Sequence, residues 1–186
     1  MNTGIVAVRY AKALLGFAQG KGVDGDVYAC MKILAHCYAQ LPSLALTVSN
    51  TMLPSAQRRD VLLQASACLP HQTGAEVREV LSRFFDLVLA QHREDLMRSI
   101  ALQYVACYRE ANHVVHGVLT TAMEADEATV DRVKKWIEKH ENKTLELDLQ
   151  EDPSLIGGFS LEVNMNVIDL SVAAQLRHIR KAFGIT

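Results

Sequence analysis

Proline and glycine are scarce in this sequence, with four and ten among 186 residues. Both disfavour helix interiors, so the long segments that contain neither residue favour helices. Tryptophan occurs once, and no two of the four cysteines are spaced as Cys-x-x-Cys. Because that spacing is typical of zinc and redox sites, we expect the cysteines to be small core residues of a protein in a reducing compartment.

A charge excess of one sign and long apolar runs are also missing. Nineteen Lys and Arg residues nearly balance 21 Asp and Glu residues, for a formal net charge of −2. Without clustered positive charge, the chain is a poor general nucleic-acid binder. The longest segment without a charged side chain, Ile33 to Gln57, contains two prolines and several polar residues, which excludes a membrane-spanning helix. Arg9 interrupts the only early apolar run, so we predict no signal peptide and expect the chain to stay inside the cell.

Residues 1–112 show the 3.6-residue apolar period of helices throughout. Pro or Gly punctuates the segments, and residues 69–74 read as a loop. Six helices joined by short loops in about 110 residues predict one compact bundle. The predicted helices cover approximately residues 3–19, 26–41, 55–68, 75–91 and 93–112, with a short third helix after Ser43.

The first predicted helix carries two apolar stripes instead of one. Ile5 and Leu15 belong to one stripe, and Tyr10, Leu14 and Phe17 belong to the other. A helix that is apolar on two sides is either buried between other helices or offers a face to a partner. The Phe84-Phe85 pair of the fifth helix has the same two interpretations, as core residues or as the edge of a partner groove.

After Asn112 the apolar period changes from 3.6 to 2 residues. Residues 113–123 are rich in β-branched side chains and poor in charge, which predicts a strand. Residues 144–150 and 159–163 alternate as strands with one buried face, and Asn164-Met165-Asn166 predicts a hairpin turn into a strand that starts at Val167. Helices are predicted at about residues 126–139 and from residue 169 or 171 onward. The fold class is therefore mainly α: an N-terminal six-helix bundle over residues 1–112, followed by a small α/β domain over residues 113–186.

Little in the sequence points to catalysis. His113 and His116 would lie on opposite faces of a strand, which favours two ordinary polar residues over a metal pair. Asp152 precedes a proline in a turn, and Asp169 is predicted to cap the last helix, so they do not form a catalytic carboxylate pair. Gly157-Gly158 lacks the Lys and Ser or Thr of a phosphate-binding loop. We expect the two glycines to adopt backbone angles closed to other residues, which turn the chain into the strand at 159–163. We expect no catalytic residue, no metal and no cofactor.

Three segments together resemble one family. Residues 9–18 (RYAKALLGFA) resemble an N-terminal R-Y-A-x-A-L pattern, and residues 84–93 (FFDLVLAQHR) resemble a mid-chain segment of the same family. Residues 152–159 (DPSLIGGF), followed by Val167-Ile168-Asp169 and Ser171-Val172, resemble its most specific signature. The family is the ATP synthase δ subunit, which includes the mitochondrial oligomycin-sensitivity-conferring protein. Leu170 stands where that signature often has Gly.

The resemblance implies a non-catalytic stator subunit of F-type ATP synthase. The N-terminal bundle would hold the N-terminal helix of an α subunit between helices one and five, and the C-terminal domain would bind the peripheral b-type stalk. It also implies a peripheral position on the cytoplasmic side of a bacterial membrane, without a nucleic-acid or small-molecule partner. The residues implied in α-subunit binding are Arg9, Tyr10, Ala13, Leu14, Phe17, Phe84, Leu87 and Val88. Those implied in shaping the stalk-binding domain are Asp152, Pro153, Gly157, Gly158, Phe159, Asp169 and Ser171.

Two other function classes remain open at this point. One is an α-helical adaptor unrelated to ATP synthase, which binding to the α-subunit N-terminal peptide would distinguish. The other is a small hydrolase or transferase, which would need a polar pocket with convergent titratable groups. The sequence offers no such group.

Overall fold

A computed structural model describes residues 3–67, 74–123, 130–131, 134–135, 144–163 and 166–183. The chain divides into two compact units, Met1–Glu110 and Ala111–Thr186. This division falls two residues before the boundary predicted from the change in apolar period. Unit one is helical and unit two contains the sheet, so the predicted fold class is confirmed.

Unit one contains six α-helices among its described residues, in the predicted order. A short 3₁₀ turn, Glu94–Leu96, precedes the sixth helix where the sequence predicted a continuous helix from residue 93. His92, with φ of 51°, interrupts the helical path there. The helices are α1 (Thr3–Lys21), α2 (Asp24–Gln40), α3 (Pro42–Ser49), α4 (Ser55–Ala65), α5 (Ala75–Ala90) and α6 (Met97–Ala111).

Helix ends follow from local backbone chemistry. Gly22, with φ of +70°, takes the left-handed conformation that ends α1. Pro42 opens α3 in the first turn, where its missing N–H costs nothing. Helix α4 ends at Ala65, three residues before the end predicted at Cys68, and Ala67 beyond it has φ of 53°. Most of the predicted loop at 69–74 lies outside the described residues.

Among the described residues of unit one, the core is apolar apart from a buried ion pair. The side chains of Arg58 in α4 and Glu94 in the 3₁₀ turn are each 7% exposed, and Arg58 Nη1 lies 3.1 Å from Glu94 Oε1. Arg58 Nη1 also donates to the carbonyl oxygen of Val48 at 3.4 Å, which ties the end of α3 to both groups. The largest fully buried side chains of unit one are Tyr104, Phe85, Leu14, Met31, Leu34, Leu62, Leu81, Met97, Ile100 and Val27.

Unit two is built on a four-stranded sheet with the order β2-β1-β3-β4. β1 and β2 are parallel, with Val118 opposite Asp148, whereas β3 is antiparallel to both β1 and β4. The strands are β1 (Val114–Thr121), β2 (Thr144–Glu151), β3 (Phe159–Val163) and β4 (Asn166–Asp169). A small core forms on one face from Val115, Leu119, Leu145 and Leu161.

Two predicted elements of unit two lie mainly or partly outside the described residues. Of the helix predicted between the first two strands, only residues 130–131 and 134–135 are described, with helical backbone, and Val130 packs against the sheet core. The predicted turn residues Asn164 and Met165 are not described, while Asn166 already belongs to β4 and pairs with Val163. The final helix, α7, spans Val172–Ala182.

Candidate partner-binding surfaces

Helices α1 and α5 pack against each other, as the family resemblance implied. The rings of Tyr10 and Phe84 meet edge to face, with centroids 6.4 Å apart and an interplanar angle of 71°. Edge-to-face contact of this kind adds to the free energy of ordinary apolar burial. This contact holds α1 and α5 in a fixed arrangement, so their exposed sides keep a fixed relative position.

Three of the residues predicted to be exposed for α-subunit binding are buried instead. Leu14, Phe84 and Val88 are at most 6% exposed, so the prediction that they offer a surface is wrong. Leu14 joins the inward stripe of α1, and Phe84 and Val88 continue the inward stripe of α5. Because side chains three, four and seven residues apart share one helix face, these residues turn inward together.

The other predicted residues do reach the surface. Phe17 is 40% exposed and Leu87 is 50% exposed, while Arg9 and Ala13 are exposed and Tyr10 is half-buried. Ile5, which the sequence grouped with the opposite stripe of α1, is also exposed. Ile5 lies about two helical turns before Ala13 and therefore on the same face of α1. Its exposure could have been predicted from this spacing. The candidate surface therefore consists of large and small apolar side chains on α1, together with Leu87 of α5.

Three charged side chains on α5, Glu79, Arg83 and Asp86, are already paired. Arg83 forms an ion pair with Glu79 at 2.6 Å, and Asp86 with Arg59 of α4 at 3.2 Å. The Asp86 carboxylate raises the pKa of Arg59, so this guanidinium stays charged. Within the described part of the chain, Arg9 and Lys12 of α1 have no such partner.

In unit two, the residues of the DPSLIGGF segment meet the start of α7. Val172 donates its backbone N–H to the carbonyl oxygen of Gly157 at 2.9 Å, and Leu170 donates to that of Phe159 at 2.9 Å. A Cβ atom on Gly157 would lie 3.2 Å from Cγ2 of Val172, which is a tight contact. The segment is thus the surface against which the first turn of α7 packs.

Asp152 and Pro153 are the first two residues of this segment. Asp152 has an extended backbone, as expected before proline, and its Oδ1 accepts the N–H of Ser154 at 2.9 Å. Hydrogen bonding by Ser154, first through its side chain and then through its backbone N–H, lowers the pKa of Asp152. The following 3₁₀ turn, Pro153–Leu155, packs against α7.

The cap of α7 differs from the prediction. Ser171, not Asp169, is the N-cap residue, and its Oγ accepts the N–H of Ala174 at 3.1 Å. Asp169 acts one step earlier, since its Oδ1 accepts the N–H of Ser171 at 3.0 Å and its Oδ2 lies 3.2 Å from Arg177 Nη2. Hydrogen bonds from Ser171, supplemented by the Arg177 charge, lower the pKa of Asp169.

Only one glycine of the pair has the expected backbone. Gly158 has φ of +74°, but Gly157 does not have a positive φ, and Ile156 takes that conformation instead, with φ of 65°. The expectation that both glycines supply unusual angles is therefore half wrong. Gly157 is needed for its missing side chain, since Val172 occupies the adjacent space.

The remaining titratable candidates fit structural roles. His116 Nε2 lies 2.9 Å from Asp148 Oδ2 across β1 and β2, and His113 lies just before β1. Among the described residues, no set of three His, Cys, Asp or Glu side chains is placed to hold a metal ion. Nor is any described helix long and apolar enough to cross a membrane.

Comparison with known proteins points to one family. The model of the ATP synthase delta (OSCP) subunit family matches residues 6–183. The ATP synthase subunit delta of Phocaeicola vulgatus is 32% identical over 98% of this chain and 96% of its own length. That of Parabacteroides distasonis is 36% identical over 97% of this chain and 96% of its own length.

A solved structure has the same fold. It is a chain of the Toxoplasma gondii mitochondrial ATP synthase hexamer, with a TM-score of 0.62 and 19% identity. The match covers 95% of this chain and 96% of that one. At this identity the likeness concerns the fold alone.

Proposed function

Because the chain belongs to the ATP synthase delta (OSCP) subunit family, it is a non-catalytic stator subunit of F-type ATP synthase, and we propose that it joins the catalytic head to the peripheral stalk. Rotation inside the head would turn the whole head unless a static connection held it. Such a connection makes no bonds with substrate and needs firm contact on two sides. Two separate units, each with exposed apolar residues, suit that task.

We assign the head contact to the α1 and α5 side of unit one, with the N-terminal helix of an α subunit as the partner. The observation that carries this assignment is the exposure of Phe17 and Leu87 beside the packed Tyr10–Phe84 contact. Burial of apolar surface stabilises such a contact by roughly 25 cal/mol per Å². An amphipathic helix that lays its apolar face on α1 and α5 would cover these side chains.

We assign the stalk contact to unit two, with the b-type subunit as the partner. Large apolar side chains are exposed on β4 and α7, among them Val167, Ile168 and Ile179. Exposed apolar clusters of this kind typically mark protein contacts in soluble proteins. The bacterial relatives place the subunit in a membrane-associated complex, and we propose that it lies on the cytoplasmic side, held there by the stalk.

Calorimetric titration tests both assignments. The full chain is titrated with a synthetic peptide of the α-subunit N-terminus and, separately, with the soluble segment of the b-type subunit. We expect each to bind and neither to compete with the other. Failure of the α peptide to bind would reject the head contact. Competition between the two ligands would reject the assignment of one partner to each unit.

A further inference from the structure

Two tyrosine rings of unit one lie face to face on neighbouring helices. The rings of Tyr28 in α2 and Tyr108 in α6 are stacked, with centroids 4.3 Å apart and an interplanar angle of 20°. A Cβ atom on Gly25 would lie 3.4 Å from the hydroxyl oxygen of Tyr108, so this side chain crosses the first turn of α2. The two tyrosines are far apart in the chain, and the fold brings their phenol groups into contact.

An arginine holds the Tyr28 ring in this position. Arg109 donates its Nε–H to the hydroxyl oxygen of Tyr28 at 2.9 Å, and its guanidinium carbon lies 5.9 Å from the centroid of the same ring. The hydrogen bond restrains the phenol oxygen, and cation–π attraction restrains the ring face. Because Arg109 directly follows Tyr108 in α6, the last turns of that helix position both rings of the stack.

The stacked pair differs from the remaining tyrosines in contact and in access to solvent. All five tyrosines of the chain are among the described residues, and no other tyrosine ring lies against a second one. Tyr38 and Tyr104 are 8% and 0% exposed, whereas Tyr28 and Tyr108 are half-buried. Oxidants dissolved in water therefore reach the stacked pair more readily than the two buried tyrosines.

Two phenols in contact have a defined oxidation chemistry. A one-electron oxidant takes one electron from each ring, and each hydroxyl group releases its proton to water. The two neutral radicals carry unpaired electron density on the ring carbons next to the oxygen, and two such carbons join in one carbon–carbon bond. The hydrogen atoms on those carbons then move to the oxygens as both rings become aromatic again. The product is dityrosine, formed with a net loss of two electrons and two protons.

The fold favours this coupling within one chain. Radicals on separate chains meet only by diffusion, whereas the rings of Tyr28 and Tyr108 are already held in contact. Holding two reacting groups together raises their effective concentration by several orders of magnitude. Arg109 is a positioning residue in this arrangement, because it restrains one ring and undergoes no change itself.

We propose that Tyr28 and Tyr108 form an oxidative modification site, at which one-electron oxidants derived from peroxide couple the two phenols into dityrosine and join α2 covalently to α6. The new bond would close a loop of about 80 residues, which contains most of the core of unit one. Cross-links that close long loops stabilise a fold by restricting the unfolded chain. An oxidised chain would therefore keep unit one folded at temperatures that unfold the reduced chain.

The test oxidises the full chain, at low protein concentration, with an illuminated ruthenium tris-bipyridyl complex and persulfate as the source of one-electron oxidant. Trypsin cleaves after Lys and Arg, which places Tyr28 in the peptide 22–32 and Tyr108 in the peptide 99–109. We expect mass spectrometry to find these two peptides joined with the loss of two hydrogen atoms. The monomeric chain should also gain the blue fluorescence of dityrosine. Tyr28→Phe and Tyr108→Phe should each lower that fluorescence roughly fivefold or more.

Tyr38→Phe is the matched control, because it removes a buried hydroxyl group that has no hydrogen-bond partner and leaves the stack unchanged. This variant should form the cross-link as well as the native chain does. Phenylalanine retains the ring in all three variants, so circular dichroism should show native helix content before oxidation. After oxidation, the native chain should melt roughly 10 °C above equally oxidised Tyr108→Phe.

Four outcomes would overturn the proposal. A cross-link that persists in Tyr108→Phe, or that fragment ions place on Tyr104, would show that the stack is not the site. Loss of the cross-link in Tyr38→Phe would show the same. A fluorescent product confined to dimers would show that coupling occurs between chains. Equal melting of the cross-linked chain and oxidised Tyr108→Phe would reject the stabilisation of unit one.

Discussion

A Cβ atom on Gly158 would lie 2.4 Å from the backbone oxygen of Leu170. Real Cβ atoms do not approach a backbone oxygen so closely, and neither group can rotate out of the way. Gly158 also has φ of +74°, which is unfavourable for residues with a side chain. The turn that leads from the DPSLIGGF segment into β3 therefore depends on glycine at this position for two independent reasons.

Gly158→Val should destabilise unit two by about 2–4 kcal/mol, because the side chain meets backbone and the φ angle is strained. Hydrogen exchange should show the loss in β3 and α7, and stalk binding should fall while α-peptide binding persists. Gly16→Ala in α1 is the control, since its surroundings are open and it should raise helix stability by about 0.5–1 kcal/mol. Lost α-peptide binding with intact stalk binding in Gly158→Val would contradict the assignment of the two units.

Ala13→Asp should weaken binding of the α-subunit peptide by about 3 kcal/mol, because a carboxylate without a partner would be buried on docking. Ala13 is exposed in the free chain, so the variant should fold normally. The measurement is calorimetry with the peptide. Ala29→Asp, at an exposed position in the middle of α2, introduces the same change away from α1 and should leave binding unchanged. Equal affinity of a folded Ala13→Asp variant would exclude docking on this face of α1.

Glu94→Leu should destabilise unit one by about 3–5 kcal/mol, because it leaves the buried Arg58 guanidinium without its counter-charge. The double variant Arg58→Met with Glu94→Leu should recover most of that loss, since an apolar pair of similar volume carries no desolvation penalty. Urea unfolding measures both. Arg83→Ala, which breaks the exposed pair with Glu79, should cost about 1 kcal/mol or less. A double variant no more stable than Glu94→Leu would show that the ion pair itself is required.

Lowering the pH should weaken the contacts that hold the first turn of α7. The folded-state pKa of Asp169 is lowered by Ser171 and Arg177, so the stability it contributes is present above the ordinary Asp pKa of 3.8 and is lost as pH falls through the lowered value. Carboxyl chemical shifts from NMR should show the depressed titration. In Asp169→Asn the stability of unit two should fall less steeply below pH 3.8 than in the native chain. An identical acid dependence in both proteins would contradict the role assigned to this carboxylate.

A fragment of residues 1–112 should fold alone with a cooperative thermal transition. Its described helices enclose an apolar core of their own. The complementary fragment has a small core around Leu119 and Leu161 among its described residues and should be marginal. Circular dichroism during heating makes the comparison. If the 1–112 fragment is unfolded, the predicted domain boundary at residue 112 is wrong.

Element type was readable from the sequence wherever the apolar period was long and regular. The 3.6-residue stripe of α5 and the strict alternation of β2 each depend on side-chain directions that the backbone fixes locally. The DPSLIGGF segment was likewise recognisable before its geometry was known. What it does was less accessible, because the residues that meet there, Gly157 and Val172, are distant in the chain.

Two details could not be predicted from the sequence, because neighbouring residues suit the same structural position. Asp169 and Ser171 are both good N-cap residues, and only the path of the chain out of β4 decided that Ser171 caps α7. For Gly157 and Ile156, the sequence likewise did not indicate which residue has the positive φ angle. The left-handed conformation fell on isoleucine, since the 3₁₀ turn ends there.

The sequence by itself determined the order of helices and strands and the family. Both depend on residues close together in the chain or on a pattern read along it. Only the tertiary structure decided which apolar side chains remain outside. Leu14 and Phe17 are equally apolar, yet Leu14 is buried and Phe17 is exposed, because the packing of neighbouring helices covers one face of α1 and leaves the other. Burial is a property of that packing, and a single helix pattern does not contain it.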